Sequence, residues 1–295
     1  MTVADVIGIA INISMFLIVL GFGFNATFDN VTYLFRRPRL FVRAIVAMNI
    51  VMLGLVIGAL MVFNLPPPIR IALVALALSP VPPIFPSNRV KAGGRVRYTL
   101  GLLAGAGVAA VVLAPLGIEL LGRSFGVAMH MPVSRVASII VMSVLLPLLV
   151  GIAIRYFAPT FAERAARPVS LFATILLIVA VLPVLVIATK TILALAGTGA
   201  LACLILFSVV GVAVGHLLGG PEPGDRTILA LATGSRHPGI AIALTNINFP
   251  EQKAVMAVVF YHLLIGSIVS IPYLSWRRRT RADAPDSAGT PGNPA

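Results

Sequence analysis

Windows of about 20 residues, nearly free of charge, follow one another along almost the whole chain, each long enough to cross a bilayer as a helix. Nine can be drawn, at approximately 5–26, 40–63, 69–88, 96–121, 133–157, 168–189, 191–218, 226–247 and 252–275. A hydrocarbon core about 30 Å thick needs roughly 20 apolar residues per crossing, and inside it backbone polar groups must be satisfied within the protein. The chain is therefore expected to be an all-α polytopic membrane protein with nine transmembrane helices. Composition points the same way: 59% of the 295 residues are hydrophobic, 11% are charged, and mean hydropathy is +1.04. Soluble domains lie far from that mixture.

A net charge of +13 on a soluble protein would suggest nucleic acid as a partner. The placement of the basic residues argues against it. With the N-terminus outside, sixteen of the 22 fall in inner loops, at 36–43, 89–97, 155–167, 226 and 277–281. Only Arg70, Arg123, Arg135, Lys190 and Lys253 fall outside. The positive-inside rule then gives an outer N-terminus and a cytoplasmic C-terminus, in agreement with an odd number of crossings. The lipid bilayer of the cell membrane is the expected partner of this charge, and nucleic acid is not.

Asp5 stands where a cleaved leader would carry basic residues, and the first apolar run is too long for one, so a retained first span is expected. The single Cys203 excludes an intramolecular disulfide. Residues 1–276 are expected to form one transmembrane domain. The remaining 277–295, a basic start followed by a Pro, Gly, Ser and Asp mixture, is expected to be a disordered cytoplasmic tail.

Two windows differ from the rest. The third reads IALVALALSPVPPIFPSN, with Pro80, Pro82, Pro83 and Pro86 close together, and the eighth carries ATGSRHPG. A proline inside a helix removes a donor and clashes with the carbonyl four residues back, so both windows are expected to break, near Pro80 to Pro86 and Gly234 to Pro238. Open backbone at membrane depth has to be covered by protein or line a cavity, and paired interruptions in two halves point to a transporter binding site. Spans 1 to 4 and 6 to 9 each place the interrupted helix third. Four is even, so the intervening span 5 turns the second half over. The pattern is that of inverted repeats whose broken helices cross near mid-membrane.

The segments GFGFNATFDNVTYLFRRPRLF, the broken window ending PSN, a long span closing with LAP, and TGSRHPGIAIAL together resemble the bile acid:sodium symporter family across nearly the whole chain. The resemblance implies a panel domain and a core domain, with the two broken helices in the core. It also implies a sodium site of oxygen ligands at the crossover. Ser87 and Asn88 match the serine and asparagine of the first crossover, and Thr99 supplies a hydroxyl from the next span. These three are the candidate sodium ligands. Ala232 falls where the family has a glutamate and Arg236 where it has a glutamine. A further family glutamine falls at Met48, with Asn49 adjacent.

All nine acidic residues fall in a loop, a tail or the last turn of a window, so no carboxylate is expected at mid-membrane to neutralise a bound cation. Sodium coupling is therefore in doubt, with a proton or simple exchange as the substitute. Arg236 is the exception among the cations. A charge at the centre of a span costs about 2.5 to 3.5 kcal/mol on insertion scales. Either it snorkels to the headgroups, or it serves as a fixed positive charge beside half-helix N-termini, where an anion would bind. His237 either titrates and couples protons or stays neutral and caps broken-helix carbonyls. The candidate substrate ligands are Ser235, Arg236, His237 and Asn88. No P-loop, HExxH or GxSxG pattern occurs, and no enzymatic activity or resident cofactor is expected. The residues thus point to a secondary transporter of small or amphipathic organic anions working by alternating access. A non-transporting receptor or sensor that reads an organic acid in the same pocket is the alternative.

Overall fold

The structure is a computed structural model that describes residues 3–82, 95–125, 129–195 and 199–282; among them all regular structure is helical. In chain order the helices are α1 (Val3–Gly23), α2 (Phe28–Thr32), α3 (Pro38–Val62), α4 (Pro67–Leu78), α5 (Val96–Phe125), α6 (Val133–Phe157), α7 (Pro159–Leu195), α8 (Ala200–Leu218), α9 (Pro223–Gly234), α10 (Pro238–Asn248) and α11 (Ala254–Ala282). Two of them carry a π turn, α3 at Val46–Val51 and α6 at Val141–Leu145.

Among the described residues seven helices are long and apolar enough to cross a membrane: α1, α3, α5, α6, α7, α8 and α11. The third and eighth windows do not add continuous helices to that number. α4 stops after 12 residues, about 18 Å at 1.5 Å per residue. The eighth window is divided into α9 and α10, of 12 and 11 residues. Both interruptions fall where the prolines demand them. Ser79, the C-cap of α4, has extended backbone (φ −81°, ψ 146°), and Pro80 to Pro82 continue without helix. Ser235 is extended (φ −127°, ψ 153°), and Pro238 begins α10 at the first helical position, where its missing N–H costs nothing. The second part of the third window, with Pro83 and Pro86, lies outside the described residues.

Three boundaries differ from expectation, the first being the start of the seventh window: α7 runs on to Leu195, past the expected start at 191, and α8 begins only at Ala200. α7 begins at Pro159, well before position 168, because the loop residues ahead of the apolar run continue the same helix. α11 runs on to Ala282, so the basic start of the expected tail is helical. The Arg277 guanidinium explains this: its Nε donates to Thr227 Oγ1 at 3.0 Å and its Nη2 to the carbonyl of Pro223 at 3.0 Å, which ties the end of α11 to the start of α9.

α1 packs along α7 and the second half of α6. At their closest approach, a Cβ on Gly23 or on Gly151 would come within 2.7 Å of the other glycine's Cα, so the two backbones touch. The remaining long helices group around the broken pair, with α4 against α10 and α11, and α8 against α9. Gly211 and Gly215 of α8, with Gly219 just past its end, form a stripe facing α9. A Cβ on Gly215 would meet the carbonyl oxygen of Leu229, and one on Gly211 would come within 2.7 Å of Thr233 O. Small residues every fourth position are how helices approach closely where lipid offers no hydrophobic drive for association.

The loops that carry most of the basic residues lie together at one end. Arg95 bonds Glu222 at 2.9 Å, Arg37 and Arg97 lie over the ring of Tyr33, and Arg277 reaches Pro223. Asp225, assigned to a loop in the sequence, sits in the first turn of α9 with no exposed surface, 4.0 Å from Arg95 Nε. The opposite end gathers Glu119, His130 and Asn248: His130 N donates to Asn248 Oδ1 at 2.7 Å, and its ring lies 3.4 Å from Glu119.

Candidate functional site

The two interruptions lie against each other. The backbone N–H of His237, in the second, donates to the carbonyl of Pro80, in the first, at 2.9 Å. An interrupted helix leaves donors and acceptors without their usual partners, and here each break supplies part of what the other lacks. The C-terminal ends of α4 and α9 come to this point with their partial negative charge, and α10 starts from it with its positive end.

Arg236 occupies that point. It has no exposed surface. Its Nη2 donates to the carbonyl of Met48 at 2.6 Å and its Nη1 to the carbonyl of Ser79 at 3.3 Å. Met48 lies inside the π turn of α3, and Ser79 caps α4, so one guanidinium joins the bulge of one helix to the open end of another. Phe207 of α8 covers it, with Cζ 5.8 Å from the ring centroid. Among the described residues no carboxylate pairs with it. Snorkelling to headgroups does not occur, because the side chain is enclosed. His262 packs edge-on against the same Phe207 at 5.2 Å, also without exposed surface.

His237 points elsewhere. Its Nε2 lies 3.2 Å from Ser143 Oγ, in the π turn of α6. That hydroxyl already donates to the carbonyl of Ile139 at 2.7 Å, so it accepts from His237, which fixes the neutral ring's proton on Nε2. The ring therefore bonds a neighbouring span rather than capping broken-helix carbonyls.

A cavity of about 620 Å³ opens beside His237, between α1, α6 and α10. Residues of α6 at helical spacing line it: Arg135, Ser138, Ile139, Met142 and Ser143. α10 presents Gly239, Ile242, Ala243 and Asn246, and α1 presents Asn12, Ile13 and Phe16. Most of this wall is apolar. Arg135 is exposed at its mouth and forms no ion pair among the described residues. From Arg135 to Ser143 is eight residues of one helix, about 12 Å of rise.

The sequence-selected residues thus divide. Arg236 and His237 are brought to the crossover, but only His237 reaches the cavity. Ser235 is nearly buried and donates to Leu231 O at 2.6 Å. Thr99 donates to Arg95 O at 3.0 Å in the first turn of α5, and no hydrogen bond joins it to residues 235–237. Ser87 and Asn88 lie outside the described residues. Ala232, in place of the family's glutamate, is enclosed in an apolar cluster with Met48, Val81 and Tyr98. Among the described residues no group of three or more His, Cys, Asp or Glu is placed to hold a metal ion. Arg135, Ser143 and the carbonyl of Met48 were missed. A polar stripe at 135, 138 and 143 within an apolar window was the available signal.

Stacked apolar helices, two interruptions bonded at one point and a crevice beside them define a polytopic membrane protein. The chain belongs to the sodium bile acid symporter family, whose model matches residues 12–195. That match includes the first interruption and ends before the second. No curated protein matches the chain.

Proposed function

We propose that this transporter carries a small or amphipathic organic anion through the crevice between α1, α6 and α10, by alternating access across nine spans arranged as inverted repeats. The crevice itself carries the reading: its wall is mainly apolar, and its charged group, Arg135, is a cation without a counterion among the described residues. Arg135 would pair with the anionic group. The N-terminal turn of α10, entered through Gly239, adds partial positive charge further in, and Asn12, Asn246 and the His237–Ser143 pair offer hydrogen bonds. An amphipathic acid with a polar group some 12 Å from its carboxylate matches the rise from Arg135 to Ser143. The basic end of the bundle would face the cytoplasm.

Arg236 would take the part that a bound sodium ion plays where interrupted helices meet. It offers a permanent charge to the carbonyls of Met48 and Ser79, so transport is expected to depend only weakly on sodium. Counterflow tests the function. Proteoliposomes loaded with an unlabelled organic acid would accumulate the labelled acid transiently. A receptor would show binding without exchange, and a channel would show flux that does not saturate.

A further inference from the structure

At the basic end of the bundle, the first turns of α3 and the link between α8 and α9 enclose an open cavity of about 890 Å³. It is separate from the crevice of α1, α6 and α10. Arg37, Arg39 and Arg43 line it, together with Leu40, Val42 and Glu222. The carboxylate in this set is already held: Glu222 bonds Arg95 at 2.9 Å. Arg37 rests on the ring of Tyr33 at 4.8 Å and lies close enough to the carboxylate of Asp225 to interact with its charge. The side chains of Arg39 and Arg43 have neither hydrogen bond nor ion pair among the described residues. Of the three guanidinium groups that line the cavity, those of Arg39 and Arg43 thus stand without a carboxylate partner among the described residues.

The surroundings say what kind of anion fits. Val42 is 57% exposed on the cavity wall, and Phe35, 47% exposed, packs against Phe41 in the first turns of α3 with ring centroids 5.6 Å apart. A small soluble anion gains nothing from such apolar surface. A phospholipid does, because its phosphate meets the arginines while its acyl chains lie along the apolar side chains at the membrane boundary. Basic pockets at helix ends on the face where positive charge gathers have the chemistry to take anionic headgroups.

We infer that this cavity is a binding site for the phosphate headgroup of an anionic phospholipid, clasped by Arg37, Arg39 and Arg43. Its position gives the lipid a structural effect. One wall begins α3, whose π turn presents the Met48 carbonyl to Arg236; the other leads into α9, which ends at Ser235. A bound headgroup therefore braces α3, whose Met48 carbonyl accepts from Arg236, against α9, the helix that leads to Arg236. The site does not depend on which substrate the crevice carries.

Native mass spectrometry of the detergent-purified protein tests it, with phosphatidylglycerol, phosphatidylcholine and inorganic phosphate as separate probes. The wild type is expected to retain phosphatidylglycerol in preference to phosphatidylcholine. The double variant Arg39→Gln, Arg43→Gln is expected to lose that affinity by about 30-fold, from roughly 1 kcal/mol per basic side chain at an anionic surface. Arg278→Gln with Arg279→Gln, at the same end on α11, is expected to leave it unchanged. Should the first double variant fail to fold, Arg39→Gln alone is expected to weaken binding about fivefold. Unchanged lipid retention in the cavity variants overturns the inference. So does an equal loss in the α11 pair, which would mean unspecific surface charge. Displacement of the lipid by millimolar inorganic phosphate also overturns it, in favour of a free-phosphate site.

Discussion

The N–H of His237 donates to the carbonyl of Pro80 across 157 residues of sequence, at 2.9 Å. This bond joins two helix breaks, and the residue before it, Arg236, completes the junction by bonding Ser79 O and Met48 O. Adjacent side chains then face opposite ways: Arg236 into the group of helices around the breaks, His237 towards α6 and the crevice. The junction holds a fixed charge on one side and presents a polar ring to the crevice on the other. Negative helix ends meet the arginine, while the positive end of α10 opens towards the cavity.

Because Arg236 is enclosed and satisfies two carbonyls, its removal is expected to act on stability before it acts on anion affinity. Hydrogen bonds to charged groups contribute about 1.5 to 3 kcal/mol each. Arg236→Gln retains at most one weaker contact and is expected to lose about 3 kcal/mol. Arg236→Lys keeps the charge without the planar fork and is expected to lose less. Unfolding of the purified variants measures the loss. Anion affinity in the folded Lys variant is expected to match wild type, and a large fall there would place the substrate at Arg236.

Sodium dependence follows from the same contacts. Uptake into proteoliposomes in choline at fixed pH is expected to keep most of the rate seen in sodium, and loss of most activity in choline refutes the built-in charge. The reverse experiment restores the family's residue types. Ala232→Glu combined with Arg236→Gln removes the guanidinium from the Met48 and Ser79 carbonyls and adds a carboxylate nearby. That protein is expected to be stabilised by sodium but not by choline, as linkage requires of a ligand that binds only the folded state. The wild type is expected to show no such difference.

His237 and Ser143 belong to different interrupted elements, one to a helix break and one to a π turn, and their bond crosses the edge of the crevice. A double-mutant cycle with His237→Ala and Ser143→Ala is expected to give a coupling of about 1 kcal/mol in unfolding free energy, the usual net value of a neutral hydrogen bond. Additive losses would show that the two side chains act independently.

Helix positions were legible because a bilayer imposes length and polarity on each segment, and the breaks because proline removes a donor wherever it stands. Pro80 and Pro238 mark interruptions on chemical grounds alone. The enclosure of Arg236 was not legible. Its partners are backbone carbonyls of Met48 and Ser79, and every residue type has a carbonyl, so no sequence signal distinguishes those two. The π turns were hidden for a similar reason: VAMNIV and VMSVL have nothing in their composition that forbids an ordinary α-helix. Arg135 was visible but was counted as a loop charge, because its role depends on α1 and α10 closing a crevice around the stripe it begins.

Arg135 also gives the sharpest test of where the anion lies. It is exposed at the crevice mouth, so its substitution is expected to leave unfolding free energy within about 0.5 kcal/mol of wild type, as for ordinary surface changes. Its effect is expected to fall on the substrate instead. Loss of a charge-assisted hydrogen bond worth about 1.5 to 3 kcal/mol corresponds to roughly a 10- to 150-fold weaker anion affinity in Arg135→Gln. Arg135→Lys keeps the charge and is expected to fall between the two, since a carboxylate held bidentately loses one of its bonds. Affinity for a neutral amide analogue of the same acid is expected to change little, because it has no charge to pair. Equal losses for acid and amide would mean that Arg135 shapes the crevice without binding the anion, and unchanged affinity for the acid would remove the crevice from the transport path.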